Sequence, residues 1–211
     1  LNNSVRKIGI LGTGNAGQTL GTKWAEAGYD VVLGSRNPRQ HNDSKLPVKS
    51  LKEVAEFGDV IVNTTPGEVS IDVLKKIGEE VINGKIIIDV SVALNEDFTL
   101  TYPVESGSEI LQQEFPQTKV VKTLCTMTST IMVEPSILEA PTTVFLSGND
   151  SEAKEITASL LHALGWSPSS QLDLGDISTA RAQDHFGKMY FTLTESLGSA
   201  NFNIKVYTEK K

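Results

Sequence analysis

The residues best suited to chemistry lie in one hexapeptide, Gly12-Thr13-Gly14-Asn15-Ala16-Gly17, which fits the pattern G-x-G-x-x-G. Glycine at the first position permits a tight turn. At the second it lets the backbone approach a pyrophosphate, and at the third it lets a helix pack closely on a strand. Phosphates in such a loop meet unpaired N–H groups at a helix start. Three glycines in six residues recur by chance, so the pattern gains meaning only from its position. Here it falls between an apolar run ending at Leu11 and a stretch of helical spacing, the context a dinucleotide site requires.

The nucleotide is read from the end of the second apolar run. A fold that selects NAD places Asp or Glu there, about 20 residues past the glycines, to accept hydrogen bonds from the ribose 2′-OH. This chain has Gly34-Ser35-Arg36-Asn37 instead, and Asp30 lies at the beginning of that run. A hydroxyl with a guanidinium suits a 2′-phosphate, through charge-assisted hydrogen bonds, and Arg39 is near enough to join them. The expectation is NADP(H), set against the plainer reading of Arg36 and Arg39 as solvated loop charges.

Other candidates follow from the rule that ligands lie beyond the carboxyl ends of parallel strands. It selects Thr64, Thr65 and Pro66 after the third expected strand, Val90 and Ser91 after the fourth, and residues 123–129 after the fifth. Turn chemistry accounts for the two threonines equally well. Cys125 stands in the last group; with no histidine nearby in sequence it reads as a small buried hydrophobe rather than a nucleophile. Met127 reads as packing, and His185 as a surface or interface residue. Lys122 either projects to the cleft or caps the sheet, and Asp89, ending a buried strand, needs a partner that the sequence does not name. Cys125 is the only cysteine, and His41, His162 and His185 are scattered, so no metal site is expected.

These positions require an alternation of strands and helices. Strands are expected at 5–11, 30–33, 59–63, 85–90, 118–123, 143–146 and 167–174. Helices are expected at 15–27, 51–57, after Pro66, at 106–115, at 151–164 and from 176 to about 201. Runs such as Ile86-Ile87-Ile88 suit parallel strands covered on both faces. The reading is an α/β, doubly wound, mainly parallel sheet, the Rossmann fold, with a C-terminal helical extension. Residues 1–175 form the nucleotide domain, and 176–211 a helix and tail that pack on it or on a second subunit. The expected apolar stripe of that helix is Ile177, Ala180, Phe186, Met189, Leu193 and Leu197, and a homodimer through it is expected.

The 211 residues are 39% hydrophobic and 21% charged, ordinary for a globular chain, and a net charge of −7 disfavours nucleic acid and acidic membranes as partners. With no apolar run long enough to cross a bilayer and no apolar leader, the expectation is a cytoplasmic enzyme.

Taken in order, IGILGTGNAGQTLG, VVLGSRNP, GDVIVNTTP, GKIIIDVS and SGSEILQQEFPQTKVVKTLCT, with LDLGDISTAR more weakly, resemble the F420-dependent NADP oxidoreductase family. The same fold serves as the reductase domain of the STEAP metalloreductases. The resemblance implies direct hydride transfer between NADP(H) and a flavin, the deazaflavin F420 or another small acceptor, by alignment of two rings and without an essential acid–base residue. It implies phosphate contacts at Thr13, Gly14, Asn15 and Ala16, and 2′-phosphate contacts at Ser35 and Arg36. Ser129 and its neighbours, Cys125 among them, would line the nicotinamide side. Two positions depart from the F420-using members: Cys125 replaces a histidine and Thr128 a proline. The resemblance therefore supports an NADPH-dependent reductase better than any named acceptor.

Two other readings remain. An NADPH-binding sensor or regulatory module without turnover fits the lack of proton-transfer residues. A pyrroline-5-carboxylate-reductase-like imine or carbonyl reductase, or a hydroxyacid-dehydrogenase-like enzyme, fits the glycine motif. Those proteins carry a substantial helical substrate domain, whereas roughly 35 residues follow the last expected strand, fewer than the ~50 of a separate domain.

Overall fold

Five short apolar runs have no polar face, so each needs cover on both sides. In the computed structural model of the chain, which describes residues 5–41 and 43–209, they form the parallel centre of an eight-stranded sheet. The outer limits of the two expected segments, residues 1 and 211, lie outside the described residues. In chain order the elements are β1 (Lys7–Leu11), α1 (Asn15–Glu26), β2 (Asp30–Ser35), β3 (Val48–Ser50), α2 (Leu51–Phe57), β4 (Val60–Asn63), α3 (Gly67–Ile77) and α4 (Glu79–Ile82). There follow β5 (Ile86–Asp89), α5 (Gly107–Glu114), β6 (Lys119–Thr123), α6 (Ser129–Val133), β7 (Val144–Gly148), α7 (Ser151–Ala163), β8 (Gln171–Asp173) and α8 (Ala180–Leu197).

The sheet order is β3-β2-β1-β4-β5-β6-β7-β8. All neighbours are parallel except β6 and β7, so β7 and β8 run against the rest. Strand β5 shows why both faces are covered. Ile86 and Ile88 join the core built with Leu20 and Trp24 of α1, Ile131 of α6 and Leu160 of α7. Ile87, on the other face, meets Val54 of α2, Leu74 of α3 and Leu111 of α5. Burying one such side chain stabilises the fold by about 1.5–3 kcal/mol. Two indoles pin the first layer: Trp24 Nε1 donates to the Leu160 carbonyl at 3.0 Å and Trp166 Nε1 to the Met132 carbonyl at 2.9 Å.

Chain order runs outward from β1 to β2 and β3 on one side and from β4 to β6 on the other, leaving a switch point between β1 and β4. An open α/β sheet binds ligands at such a point.

The structure refines several sequence expectations. β2 extends to Ser35, and β3, absent from the reading, pairs three residues after Pro47 with the end of β2. At three and five residues, β3 and α6 are too short to show a period. The strand expected at 167–174 is limited to Gln171–Asp173 behind the turn Pro168–Ser170. The helix expected from 176 starts at Ala180 after the turn Ile177–Thr179 and ends at Leu197. Its expected stripe is corrected too: Ile177 and Ala180 are buried, but Met189 and Leu197 are exposed, and the face turned to the sheet carries Gln183 and Asp184.

Candidate cofactor site

Thr64, after β4, shapes the glycine loop. Its backbone N–H and its hydroxyl both donate to the Leu11 carbonyl, at 3.0 and 2.9 Å, tying the ends of β1 and β4 together. The hydroxyl then occupies the floor under the loop. A β-carbon on Gly12, whose φ is +123°, would lie 2.6 Å from Thr64 Oγ1, and one on Gly17 would lie 2.5 Å from the Gly12 carbonyl oxygen. Gly14 is different: a β-carbon there would meet nothing within 4 Å. Two glycines serve packing, and the middle one leaves open space above the backbone.

Helix α1 begins at Asn15, with Gly14 as its N-cap, no side-chain cap and no carboxylate in its first turn. Helices α2 and α5, by contrast, each carry a complete capping box, Ser50 with Glu53 and Ser106 with Glu109. Leading N–H groups need acceptors. At α1 no side chain supplies one, which suits an anion placed on Asn15, Ala16 and Gly17. Thr13 is held beside them by Gln18, whose Nε2 donates to its carbonyl at 3.3 Å, and by a 3.3 Å hydrogen bond between its Oγ1 and His41 Nε2.

The loop is tied to the end of β2 by a 3.0 Å bond from the Gly12 N–H to the Gly34 carbonyl. There Ser35 Oγ accepts from the Asn37 N–H at 3.1 Å. Arg36 and Arg39 are exposed, and among the described residues neither guanidinium has a hydrogen-bond or ion-pair partner. Asp30 lies in register with Lys7 at the opposite end of the strands, so β2 itself ends without a carboxylate, and the nearby Glu53 is taken up by the Ser50 cap of α2.

Farther along, the rim rests on a buried polar network. Asn63, the last residue of β4, donates from Nδ2 to Ser70 Oγ and to Asp89 Oδ1, both at 2.9 Å, and its Oδ1 accepts from the Thr65 hydroxyl at 2.6 Å. Thr65 therefore spends its hydroxyl inside the protein, and Pro66 starts α3 as its N-cap residue. Asp89 also accepts from the Ser91 hydroxyl at 2.7 Å and from Ser108 Oγ at 2.5 Å. Lys122 Nζ lies 3.5 Å from Asp89 Oδ2 and 2.9 Å from Asp184 Oδ1 of α8, and it donates to the Ser91 carbonyl. Gln183 donates to Ser147 Oγ at 2.9 Å and to the Lys122 carbonyl at 3.3 Å. One network thus joins the segments after β4, β5 and β6 to α8.

Burial works against charge on Asp89 and Lys122, yet each holds the other ionised: the ammonium and the three side-chain donors bring Asp89 below the usual carboxylate range, and Asp89 with Asp184 raises Lys122 above the usual lysine range. Cys125 behaves oppositely. Burial pushes its thiol up to about 12, against the pull of Lys122, so it stays protonated, and Sγ faces Gln183 Oε1 at 3.8 Å. Leu124, just before it, is buried in the left-handed region at φ +61°, a conformation that costs a non-glycine residue about 1–3 kcal/mol. This turn sends the chain from β6 toward Thr128, the N-cap residue of α6, and Ser129, its first residue. Thr128 Oγ1 donates to Asn201 Oδ1 at 3.3 Å.

The structure therefore brings Gly12–Gly17, Ser35, Arg36, Arg39, Thr64, Thr65, Pro66, Ser91, Cys125 and Ser129 to one edge, the carboxyl ends of the parallel strands. It gives Asp89 its partners and resolves Lys122 as a buried member of an ion triad. Sequence reasoning missed His41, Asn63, Ser108, Gln183 and Asp184. The period of α8 carried one usable signal: Gln183 and Asp184 follow Ala180 at i+3 and i+4, and so share its buried side. Among the described residues no cluster suited to a metal occurs, and no helix is long and apolar enough to cross a membrane.

Comparison with known proteins bears on this arrangement. A family model described as "NADP oxidoreductase coenzyme F420-dependent" matches residues 7–93. A solved structure from Arthrobacter sp. FB24, provisionally named an F420-dependent NADP-reductase, is 34% identical, covers 97% of this chain and 100% of its own, and superposes with a TM-score of 0.91. The F420-dependent NADP reductase of Methanocaldococcus jannaschii is 25% identical across 75% of this chain and 79% of its own. Metalloreductase STEAP3 of Rattus norvegicus is 28% identical across 83% of this chain, but the match spans only 35% of that protein's length.

Proposed function

The chain belongs to the F420-dependent NADP oxidoreductase family, a family of NADP(H)-dependent oxidoreductases, and from that premise we propose how it works. The pyrophosphate of NADP(H) sits on Gly12–Gly17, the 2′-phosphate between Ser35, Arg36 and Arg39, and the nicotinamide over Thr64, Ser91, Cys125 and Ser129. The reaction passes a hydride between NADP(H) and a small acceptor, a flavin or deazaflavin in the first instance. One observation carries the reading: two guanidinium groups without a partner among the described residues stand just past the end of β2, which closes on Ser35 rather than a carboxylate, beside a glycine whose missing side chain leaves open space.

The nicotinamide supplies the hydride chemistry, and the protein's part is binding and alignment. Arg36 and Arg39 supply planar donors for a 2′-phosphate. The first N–H groups of α1 face the pyrophosphate, and the network from Asn63 to Asp184 fixes the rim at three strand ends. Neither Lys122, with its side chain 1% exposed, nor Asp89, at 0%, can reach a substrate, and Cys125 keeps its proton. Ring alignment without a protein acid or base fits this site.

F420 itself fits less readily than a flavin. Cys125 and Thr128 differ from the F420-using pattern, and the Thr128 hydroxyl is engaged by Asn201. The outer half of α8, with Met189 and Leu197 exposed and Phe191 exposed against Phe98, is the surface we assign to a second copy of the chain.

The test is a titration with NADPH and NADH, followed by NADPH oxidation with FMN, FAD, F420, a quinone and a ferric chelate in parallel. Preference for NADPH and turnover with a flavin or deazaflavin are expected. A preference for NADH overturns the cofactor assignment. Tight NADPH binding with no oxidation in any arm makes the chain a binding module.

A further inference from the structure

Asp89, Lys122 and Asp184 carry two carboxylates and one ammonium, with side-chain exposures of 0%, 1% and 4%. Their sum is one negative charge. The neighbouring pair, Glu109 and Arg181, closes at 2.6 Å and is neutral. Farther along α8, His185 and Lys188 are exposed and screened by solvent. Asp89 is surrounded by donors from Asn63, Ser91 and Ser108, whereas among the described residues Asp184 Oδ1 has the ammonium 2.9 Å away and no aligned hydrogen bond. The excess charge therefore sits in protein, where screening is weak.

Its location matters. Asp89 ends β5, Lys122 is next to last in β6 and reaches the Ser91 carbonyl, and Gln183, beside Asp184, faces Cys125. The triad thus lies beneath two of the three rim segments given to the nicotinamide above, those after β5 and β6. A reduced nicotinamide ring is neutral and an oxidised one is a cation, so a buried negative charge separates the two in energy.

We propose that the Asp89–Lys122–Asp184 triad biases the enzyme-bound equilibrium, favouring oxidised over reduced nicotinamide in the site and so favouring hydride transfer from bound NADPH to the bound acceptor. In that direction the C4–H bond of the dihydronicotinamide breaks, and the hydrogen leaves with both electrons to the two-electron acceptor. The acceptor takes any further proton from water, and the ring is left as a pyridinium. Asp184 is a positioning residue that acts through the field and does not touch the reacting atoms. The inference rests on the NADP(H) reading.

Calorimetric titration of wild type and Asp184→Asn with NADP+, NADPH and adenosine 2′,5′-bisphosphate tests it. Lys122 keeps its pairing with Asp89 in this variant. Loss of one negative charge is expected to shift the ratio of NADP+ to NADPH affinity against NADP+ by about fivefold or more. Affinity for the bisphosphate, which has no nicotinamide, stays constant, and Asp184→Glu keeps the wild-type ratio. An unchanged ratio in folded Asp184→Asn overturns the proposal while leaving the NADP(H) reading intact. Failure of the bisphosphate to bind wild type overturns both. Should Asp184→Asn not fold, wild type alone decides: NADPH bound more than about tenfold tighter than NADP+ overturns the proposal, and comparable or tighter NADP+ binding supports it.

Discussion

A β-carbon on Gly12 would lie 2.6 Å from the hydroxyl of Thr64, and that hydroxyl is already committed to the Leu11 carbonyl. The switch point of the sheet is thereby closed from below, and the glycines of the loop separate into two kinds.

Gly12→Ala faces both the clash and a φ of +123°. It is expected to lose about 2–4 kcal/mol, or roughly 4–16 °C in Tm for a chain of this size. Gly14→Ala has an ordinary φ of −73° and meets nothing, so its Tm stays within a few degrees of wild type. Its NADPH affinity nonetheless falls at least about tenfold, because the new methyl stands where the pyrophosphate approaches. Thermal melts with and without NADPH separate the two effects, and equal affinity in Gly14→Ala and wild type would displace the phosphate site.

Arg36→Ala removes an exposed side chain that has no partner among the described residues and leaves stability within about 0.5 kcal/mol. A charge-assisted contact to a 2′-phosphate is worth about 1.5–3 kcal/mol, so NADPH affinity drops roughly 10- to 100-fold while NADH affinity holds. Added salt weakens NADPH binding more in wild type than in the variant. An unchanged ratio of NADPH to NADH affinity removes Arg36 from the site.

The stability of the protein falls in acid for an identifiable reason. Burial alone raises Glu109, but the Arg181 fork, with bonds of 2.6–2.9 Å, and the Ser106 donors bring it below the usual carboxylate range. Asp89 is lowered as well. Both groups bind protons more weakly in the fold than in the unfolded chain. Their contribution is fully present above about pH 4.5 and is lost as pH falls through the folded values. Denaturant melts from pH 7 to 3 are expected to show this loss, with a shallower slope in Glu109→Gln. Arg181 is exposed and its ion pair is screened by solvent, so Arg181→Ala is expected to destabilise the fold less than breaking a fully buried pair would. Parallel acid slopes for wild type and Glu109→Gln would exclude Glu109.

Cys125 offers the complementary alkaline case. Its thiol, pushed up to about 12, stabilises the fold up to about pH 8.5, the ordinary thiol value, and that contribution is lost as pH rises toward 12. Labelling by a thiol reagent at pH 8 is expected to be slow in the native protein and fast in denaturant. Cys125→Ala keeps turnover within about twofold. Rapid native labelling together with lost turnover would return the cysteine to the chemistry.

Much of the site was legible because its determinants are local. A glycine pattern between a strand and a helix, and the missing acid at the end of β2, need no knowledge of distant residues. Strand faces were legible for the same reason, as Ile86-Ile87-Ile88 implies cover on both sides wherever the helices come from. The network beneath the rim was not legible. Asp89 finds Ser108 and Lys122 through tertiary placement, and Asp184 arrives from a helix 62 positions beyond Lys122. An amphipathic reading assigns the apolar side of a helix to the core, and α8 breaks that rule by burying Gln183 and Asp184 against buried charge. Thr64 shows a subtler limit: its hydroxyl is at the rim as expected, yet it supports the glycine loop from beneath.

If the proposed nucleotide sits on α1, its uncapped start makes that nucleotide a missing piece of secondary structure. Where α2 and α5 carry their own carboxylates, α1 on the proposed reading would take its anion from solution. At a ligand concentration a hundred times Kd, such borrowing adds about 2.7 kcal/mol to resistance against unfolding. The protein's turnover by proteases would then follow the supply of its coenzyme.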